Sequence, residues 1–259
     1  MNAALDHVVV VVDSLARASE ALRQAGFVVI PGGQHESLGT ENALVVFADG
    51  TYLELLATRE RGERESLREL RGTEGWEGHL HEASAVGRRF LPALAGSDGV
   101  ADFALRAEKL DRVAQESRRR KFVMTGPVAF GRERPDGVRV EMKLLFPAEP
   151  WLPFLVEDRT PLSARIPDDP AARTHPNGAL GLGRVTVRAP SIASAALAYA
   201  DRFEASLSIR PGGEAEVCFG SVRLALVEGE PLGACAVSVT GVYSFPDPIA
   251  ALGLAPQDC

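Results

Sequence analysis

Cysteine is scarce in this chain. Cys218, Cys235 and Cys259 are three among 259 residues, an odd number without CxxC spacing. That supply reads as reduced thiols and argues against a disulfide framework or a cysteine zinc site. Basic charge is also in deficit: 28 Lys and Arg face 35 Asp and Glu, giving a net charge of −7 and a pI near 5.4. A general nucleic-acid binder or an anionic-membrane binder needs a basic surface, so neither class is expected. No run approaches the roughly 18 apolar residues of a membrane span. The opening Met1-Asn2-Ala3-Ala4-Leu5-Asp6 lacks the positive stretch of a signal peptide, so the expected location is cytoplasmic. Gly32-Gly33 and Gly212-Gly213 read as turns outside any phosphate-binding motif, and no nucleotide cofactor is expected. Histidine is sparse as well: His7, His35, His79, His81 and His175 are the whole supply.

The composition that remains is ordinary for a globular protein, 46% hydrophobic and 24% charged, and supports one or two domains. Residues 5–12 are Val-rich and suit a buried strand. Asp13 or Ser14 can cap a helix whose Leu15, Ala18, Ala21, Leu22 and Ala25 recur at helical spacing, with Gly26 as the stop. Strands are expected at Phe27–Ile30, Ala43–Ala48 and Thr51–Ala57, the last two joined by the Asp49-Gly50 hairpin signal. The order is β-α-β-β-β. It recurs from Val100–Arg106, through a helix at 110–121, to Val138–Phe146 and Leu152–Glu157, with a turn at Pro135-Asp136-Gly137. It recurs again from Arg184–Arg188 through a Ser191-capped helix to Leu207–Ile209, Val217–Phe219, Val222–Val227 and Ala236–Tyr243. The expected units are 1–58, a charged connector with a helix at 59–99, 100–158, a Pro- and Asp-containing linker at 159–180, and a degenerate third unit at 181–259.

His7 and Glu54 each sit inside an otherwise apolar strand. A buried carboxylate without a partner is costly, so Glu54 needs a cation, a donor or solvent. His7 shares that partner if the two strands are neighbours: His7, Val9 and Val11 fall on one face, and Tyr52, Glu54 and Leu56 on one face. His35 and Asn42 flank the loop entering the third strand and read either as a solvated histidine and a turn cap or as ligand-facing groups. His175, in His-Pro-Asn-Gly, reads as a turn residue or a cavity residue. His79 and His81 lie two apart, on different faces of a helix, which argues against a shared metal. Arg139, Glu141 and Lys143 alternate with Val138, Val140 and Met142. The expectation is that the charged row faces a pocket and the apolar row packs under helix 110–121. With Arg132 and Arg134, such a row would favour an anionic or carbonyl-rich ligand. Arg118–Lys121 reads as a helix C-terminus complementing its dipole.

Leu5-Asp6-His7-Val8, Gly39-Thr40-Glu41-Asn42 and Gly50-Thr51-Tyr52-Leu53-Glu54-Leu55 resemble the vicinal oxygen chelate superfamily, within it the glyoxalase-like domain proteins. Arg132 with Arg134-Pro135-Asp136-Gly137, Leu152-Pro153-Phe154-Leu155 and His175-Pro176-Asn177-Gly178 extend the likeness. The resemblance implies an α+β fold of repeated βαβββ modules, pairing into curved mixed sheets with helices on the convex side and a ligand cavity on the concave side. It implies a divalent metal held by a first-strand His and a fourth-strand Glu of each module. His7 and Glu54 match in the first module. In the second, Phe103 replaces the histidine and Glu157 lies near the carboxylate position. Arg184 and Leu224 of the third module cannot reproduce the pair.

The leading expectation is a metal-dependent enzyme of lyase, isomerase or oxygenase type acting on a small oxygen-bearing molecule. In it His7 and Glu54 are catalytic, His7, Glu54 and Glu157 hold the metal, and Asn42, His35, Arg132, Lys143 and His175 contact substrate. The rival is a metal-free small-molecule binding or drug-sequestering protein of the same fold, which the Phe103 substitution favours. A third reading is a pseudo-enzyme kept for assembly. The expected partner is a small molecule, not nucleic acid or membrane, and a homodimer is allowed.

Overall fold

The structure, a computed structural model, describes residues 4–60, 62–209 and 214–257. Met1–Ala3, the expected Gly212-Gly213 turn and Cys259 lie outside these. The chain begins β1 (Ala4–Val11), α1 (Leu15–Gln24), β2 (Ile30–His35), β3 (Thr40–Val46) and β4 (Tyr52–Thr58). A helical connector follows: α2 (Glu63–Arg71), α3 (Gly75–Glu82) and α4 (Ala85–Leu94). The order then returns as β5 (Gly99–Arg106), α5 (Leu110–Arg119), β6 (Met124–Glu133), β7 (Arg139–Pro147) and β8 (Phe154–Asp158). Two single-turn helices, α6 (Leu162–Arg165) and α7 (Pro170–Arg173), occupy the linker. The last stretch is β9 (Gly181–Ala189), α8 (Ile192–Phe203), β10 (Ser206–Ile209), β11 (Ala215–Phe219), β12 (Val222–Glu228), β13 (Gly233–Thr240), α9 (Asp247–Ala250) and β14 (Leu254–Pro256).

Strands β1–β8 close into a barrel in the order β1-β4-β3-β2-β6-β7-β8-β5. Strands β9–β14 form an open sheet in the order β10-β11-β12-β9-β13-β14. In the barrel β1 runs parallel to β4 and antiparallel to β5, and β5 parallel to β8. In the sheet β9 runs parallel to β12 and antiparallel to β13, and β13 parallel to β14. The sheet is therefore a barrel without its closing hairpin, and β13–α9–β14 is a trimmed fourth unit rather than the tail of the third. Closure of the barrel is thin at one place: β2 meets β6 through the single pair Gln34–Glu133. Gly33 makes that approach feasible, because a Cβ there would overlap the Glu133 carbonyl oxygen.

Local sequence explains the elements that matter here. Ser14 accepts from the Arg17 N–H and starts α1, and Ser191 does the same for α8 through Ser194 N–H. The connector, expected to carry a helix, carries three, and α3 and α4 are parted because Ser84 takes the extended conformation and caps α4 by accepting from Gly87 N–H. Gly32-Gly33, expected as a turn, lies inside β2, which runs on to His35. Each first strand carries a bulge, at Asp6 in β1 and at Ala101 in β5. A bulge resets side-chain parity, and this places His7 inward while Leu5 and Val8 point outward.

Two cores result. The outer one gathers Val8, Val10, Phe103 and Leu105 of the barrel wall with Leu22 of α1, Leu110 of α5, Tyr199 of α8 and Val185 and Leu224 of the sheet. The inner one fills the barrel with Val9, Val11, Ala104, Val140, Met142, Leu144, Phe146, Phe154 and Val156, and is roofed by Leu67, Trp76, Val86 and Phe90 of the connector helices.

Candidate functional site

The inner core stops short of one end of the barrel, where polar side chains from β1, β2, β3, β4 and β6 meet. They line a small pocket between the strands. His7, His35, Asn42, Tyr52, Glu54, Arg132 and Arg165 supply its polar surface, and Phe90, Phe130, Met142, Leu144 and Phe154 its apolar wall.

His7 and Glu54 lie on adjacent strands, β1 and β4, with Nε2 of His7 3.3 Å from Oε2 of Glu54. Behind His7, its Nδ1 is 2.7 Å from Oδ1 of Asp6, the fully buried bulge residue. Burial alone would raise the Asp6 pKa, but Arg165 and His7 outweigh it and hold the carboxyl well below its ordinary range. An ionised carboxylate only accepts, so the proton on this contact belongs to Nδ1, and Nε2 is turned toward Glu54. Tyr52 stacks on the His7 ring at 4.6 Å between centroids. Burial raises the Tyr52 pKa, so its phenol stays protonated.

Glu54 is held from three sides. Asn42 Nδ2 donates to its Oε1 at 2.5 Å, His7 faces Oε2, and His35 Nε2 is 3.9 Å from Oε1. Burial pushes the Glu54 carboxyl up, while His7, His35, the Asn42 hydrogen bond and Arg132 together bring it below its ordinary value. Burial, aided by Arg132, pushes His35 down to about 4, against the pull of Glu54, so His35 is a neutral imidazole at neutral pH. Its Nδ1 is 3.0 Å from Thr40 Oγ1, and its ring stacks on Phe130 at 5.1 Å. Arg132 donates from Nη1 to Asn42 Oδ1 (3.0 Å) and from Nη2 to the Arg165 carbonyl (2.8 Å), two neutral oxygens. A chain of contacts thus runs Arg132–Asn42–Glu54–His7–Asp6. Gly32 leaves room for it: a Cβ there would overlap Asn42 Oδ1 and Arg132 Nη1.

Of the residues expected at the site, the structure brings together His7, Glu54, Asn42, His35 and Arg132. It does not bring Lys143, Glu157 or His175 to them. Val140, Met142 and Leu144 of β7 face the barrel interior, which turns Lys143 outward to Asp111 at the start of α5, 2.5 Å away. The expected facing of β7 is reversed, because β7 presents its apolar row to the cavity and its charged row is the solvated one. Arg139 and Glu141 pair with each other on that outer row. The same pleat places Val156 inside and Glu157 outside, where its Oε2 accepts from the Leu110 N–H at the head of α5. His175 is buried, but in the outer core. Its Nδ1 accepts from Val28 N–H, its Nε2 faces the Val46 carbonyl, and Phe27 and Phe47 pack edge-on against it. Phe103 also faces the outer core, so the second-unit residue beside His7 is Ala104. Asp6 and Arg165 join the site unannounced, and Tyr52 joins it on the face expected to be shared with Glu54. Asp6 had a signal, a charged residue directly before His7 in an apolar strand; Arg165 sits in a linker and had none.

The divalent metal implied by the resemblance does not fit these residues. The second unit offers Phe130, Met142, Leu144 and Phe154 to the cavity in place of a second His and Glu. Asn42 already donates to Glu54 Oε1, and among the described residues no group of three or more His, Cys, Asp or Glu could hold a metal ion.

Comparison with known proteins places this geometry in context. A family model described as a glyoxalase-like domain matches residues 5–203. A hypothetical protein from Staphylococcus aureus is similar over 98% of this chain and 100% of its own, with a TM-score of 0.73 and 15% identity. A xylose isomerase-like TIM barrel/4-hydroxyphenylpyruvate dioxygenase fusion protein covers 92% of this chain with 36% of its own, TM-score 0.54 and 15% identity. A mutant of 4-hydroxymandelate synthase from Streptomyces coelicolor covers 91% of this chain with 70% of its own, TM-score 0.52 and 16% identity. At these identities the likeness is one of fold. No curated protein matches the chain.

Proposed function

Because the chain belongs to the glyoxalase-like domain family of the vicinal oxygen chelate superfamily, we propose that it is an enzyme that moves a proton on a small oxygen-bearing molecule held in the barrel. The observation that carries this reading is the row Asp6–His7–Glu54, spaced 2.7 and 3.3 Å, beside a buried arginine. Glu54 stays ionised down to acid pH, which suits it to steadying positive charge rather than taking up protons. The proton carrier is then His7, imidazole being the side chain suited to that work near neutral pH. Asp6 fixes the ring so that Nε2 faces the cavity, and Glu54 stabilises the imidazolium once formed. Arg132 and Asn42 supply the electropositive edge for the substrate oxygen on which negative charge develops. The substrate is compact, because Phe90, Phe130 and Phe154 crowd the remaining space. A carbonyl or carboxylate compound with an acidic proton on the adjoining carbon meets each of these demands. No step passes through a metal.

The apolar wall contributed by the second unit favours one alternative, a metal-free binding protein of the same fold. Proton–deuterium exchange separates the two. Small 2-oxo acids and hydroxyketones that bind the protein are incubated with it in heavy water and followed by NMR. Wild type is expected to catalyse exchange at the carbon next to the carbonyl, and His7→Asn and Glu54→Gln to bind the same compound without exchange. Bound ligand with no exchange by wild type would establish the binding protein instead. Metal analysis of protein purified without chelator is expected to find less than one equivalent.

A further inference from the structure

An ionised Asp6 deep in the wall of a barrel needs a cation, and the linker delivers it. Arg165, the last residue of α6, has a side chain 2% exposed. Its Nη1 donates to Asp6 Oδ1 at 2.6 Å and to the Tyr52 hydroxyl at 2.6 Å. Its Nη2 donates to Asp6 Oδ2 at 2.9 Å and to Asp158 Oδ2 at 3.0 Å, and its Nε to Asp158 Oδ1 at 2.7 Å. A guanidinium has five N–H donors in a rigid fork, and each of them is used. The backbone of the same residue serves the other limb of the site, its carbonyl accepting from Arg132 Nη2.

We propose that Arg165 is a positioning residue for the His7–Glu54 pair. Its guanidinium locks both oxygens of Asp6, so that the Asp6–His7 proton stays on Nδ1 and Nε2 faces Glu54. Its carbonyl sets Arg132 against Asn42. The linker between the barrel and the sheet is in this sense part of the site. The inference rests on the reading of His7 and Glu54 as the working pair. Arg106 offers an internal contrast: it also donates to Asp6, at 2.7 Å, but through Nε alone and from a side chain 36% exposed, where water can replace it.

Side-chain nitrogen NMR of His7 at neutral pH, without substrate, tests the inference separately from any turnover. Wild type is expected to show Nδ1 protonated. In Arg165→Met, Asp6 loses the fork that fixes it, and the His7 nitrogen signals should move toward a mixture of tautomers. Arg106→Met should move them less. Exchange catalysis, where wild type shows it, should fall on the order of a hundredfold in kcat with KM changed far less, as for loss of a group that orients a catalytic histidine. A folded Arg165→Met with wild-type His7 signals overturns the proposal. Should Arg165→Met fail to fold, Arg165→Lys decides: one ammonium cannot hold both Asp6 oxygens together with Tyr52 and Asp158, so a part-way shift is expected and unchanged signals overturn the proposal. A wild type without turnover removes the proposed enzyme function but leaves the tautomer result standing.

Discussion

The barrel and the open sheet are built from the same order of elements, yet they treat polar residues differently. In the barrel, His7 on β1 and Asn42 on β3 meet Glu54 on β4 inside a closed wall. In the sheet, strand pairing sets Val185 on β9 against Leu224 on β12 and Thr186 against Ala225. Leu224, the residue that hairpin alignment sets against Glu54, points to the helix side and the outer core. Arg184 pairs with Glu214 at 2.5 Å, with side chains 28% and 38% exposed. Closure is the difference. Where the last hairpin is present, charges are cut off from water and must be satisfied by each other, and a specific constellation follows. Where it is missing, water does that work.

Removing one member of each network gives the largest expected contrast. Asp6→Ala leaves the Arg165 guanidinium buried and short of its partner, and should cost about 3–5 kcal/mol of unfolding free energy. Glu214→Ala breaks a half-exposed pair and should cost less than about 1 kcal/mol. Urea unfolding of the two variants measures both. Equal losses would mean that closure does not decide the matter.

Acid comes next. His35 titrates at about 4 in the folded protein against an ordinary 6.5. The unfolded chain therefore binds a proton that the folded one refuses, and stability falls as pH drops from about 6.5 to about 4. The full loss is roughly 3 kcal/mol, from about 1.4 kcal/mol per pKa unit. Glu54 and Asp6, both held below their ordinary values, add their losses at still lower pH. Thermal unfolding across this range should show the first limb flattened in His35→Phe.

A smaller contrast comes from two glycines. A Cβ at Gly32 would overlap Asn42 and Arg132, which are buried and bonded; one at Gly183 would overlap the side-chain ends of Gln257 and Ser238 on the open sheet. Gly32→Ala should cost about 1–3 kcal/mol and weaken ligand binding in the cavity. Gly183→Ala should stay within about 1 kcal/mol and leave the cavity alone. Calorimetric ligand titration and thermal unfolding check the pair. The smallest effect belongs to Lys143→Met, which should leave both exchange and ligand binding as in wild type, since its ammonium points to Asp111 on the outside.

Period-2 arithmetic in β1 and β4 was enough to bring His7 and Glu54 onto one concave surface from the sequence, because charges inside Val- and Leu-rich strands tolerate few other places. The same arithmetic failed for β7 and for Phe103. On β7 the alternation is clear, but a strand in a barrel has an apolar inside here and a helix-covered outside, and alternation does not say which is which. On β1 and β5 the bulges at Asp6 and Ala101 shift the count by one, and a bulge leaves no signal in these residues. Arg165 was invisible for a different reason. Its role depends on how a linker folds back across more than a hundred residues to reach Asp6, which no local pattern carries.

The thin junction between β2 and β6 also bears on time. Parting it disturbs one residue pair, whereas parting β3 from β4 would disturb seven. Local openings follow the least costly ladder, so the barrel breathes there first. His35 and Asn42 stand on one bank of that junction and Phe130 and Arg132 on the other, so each opening bares the cavity directly to bulk water.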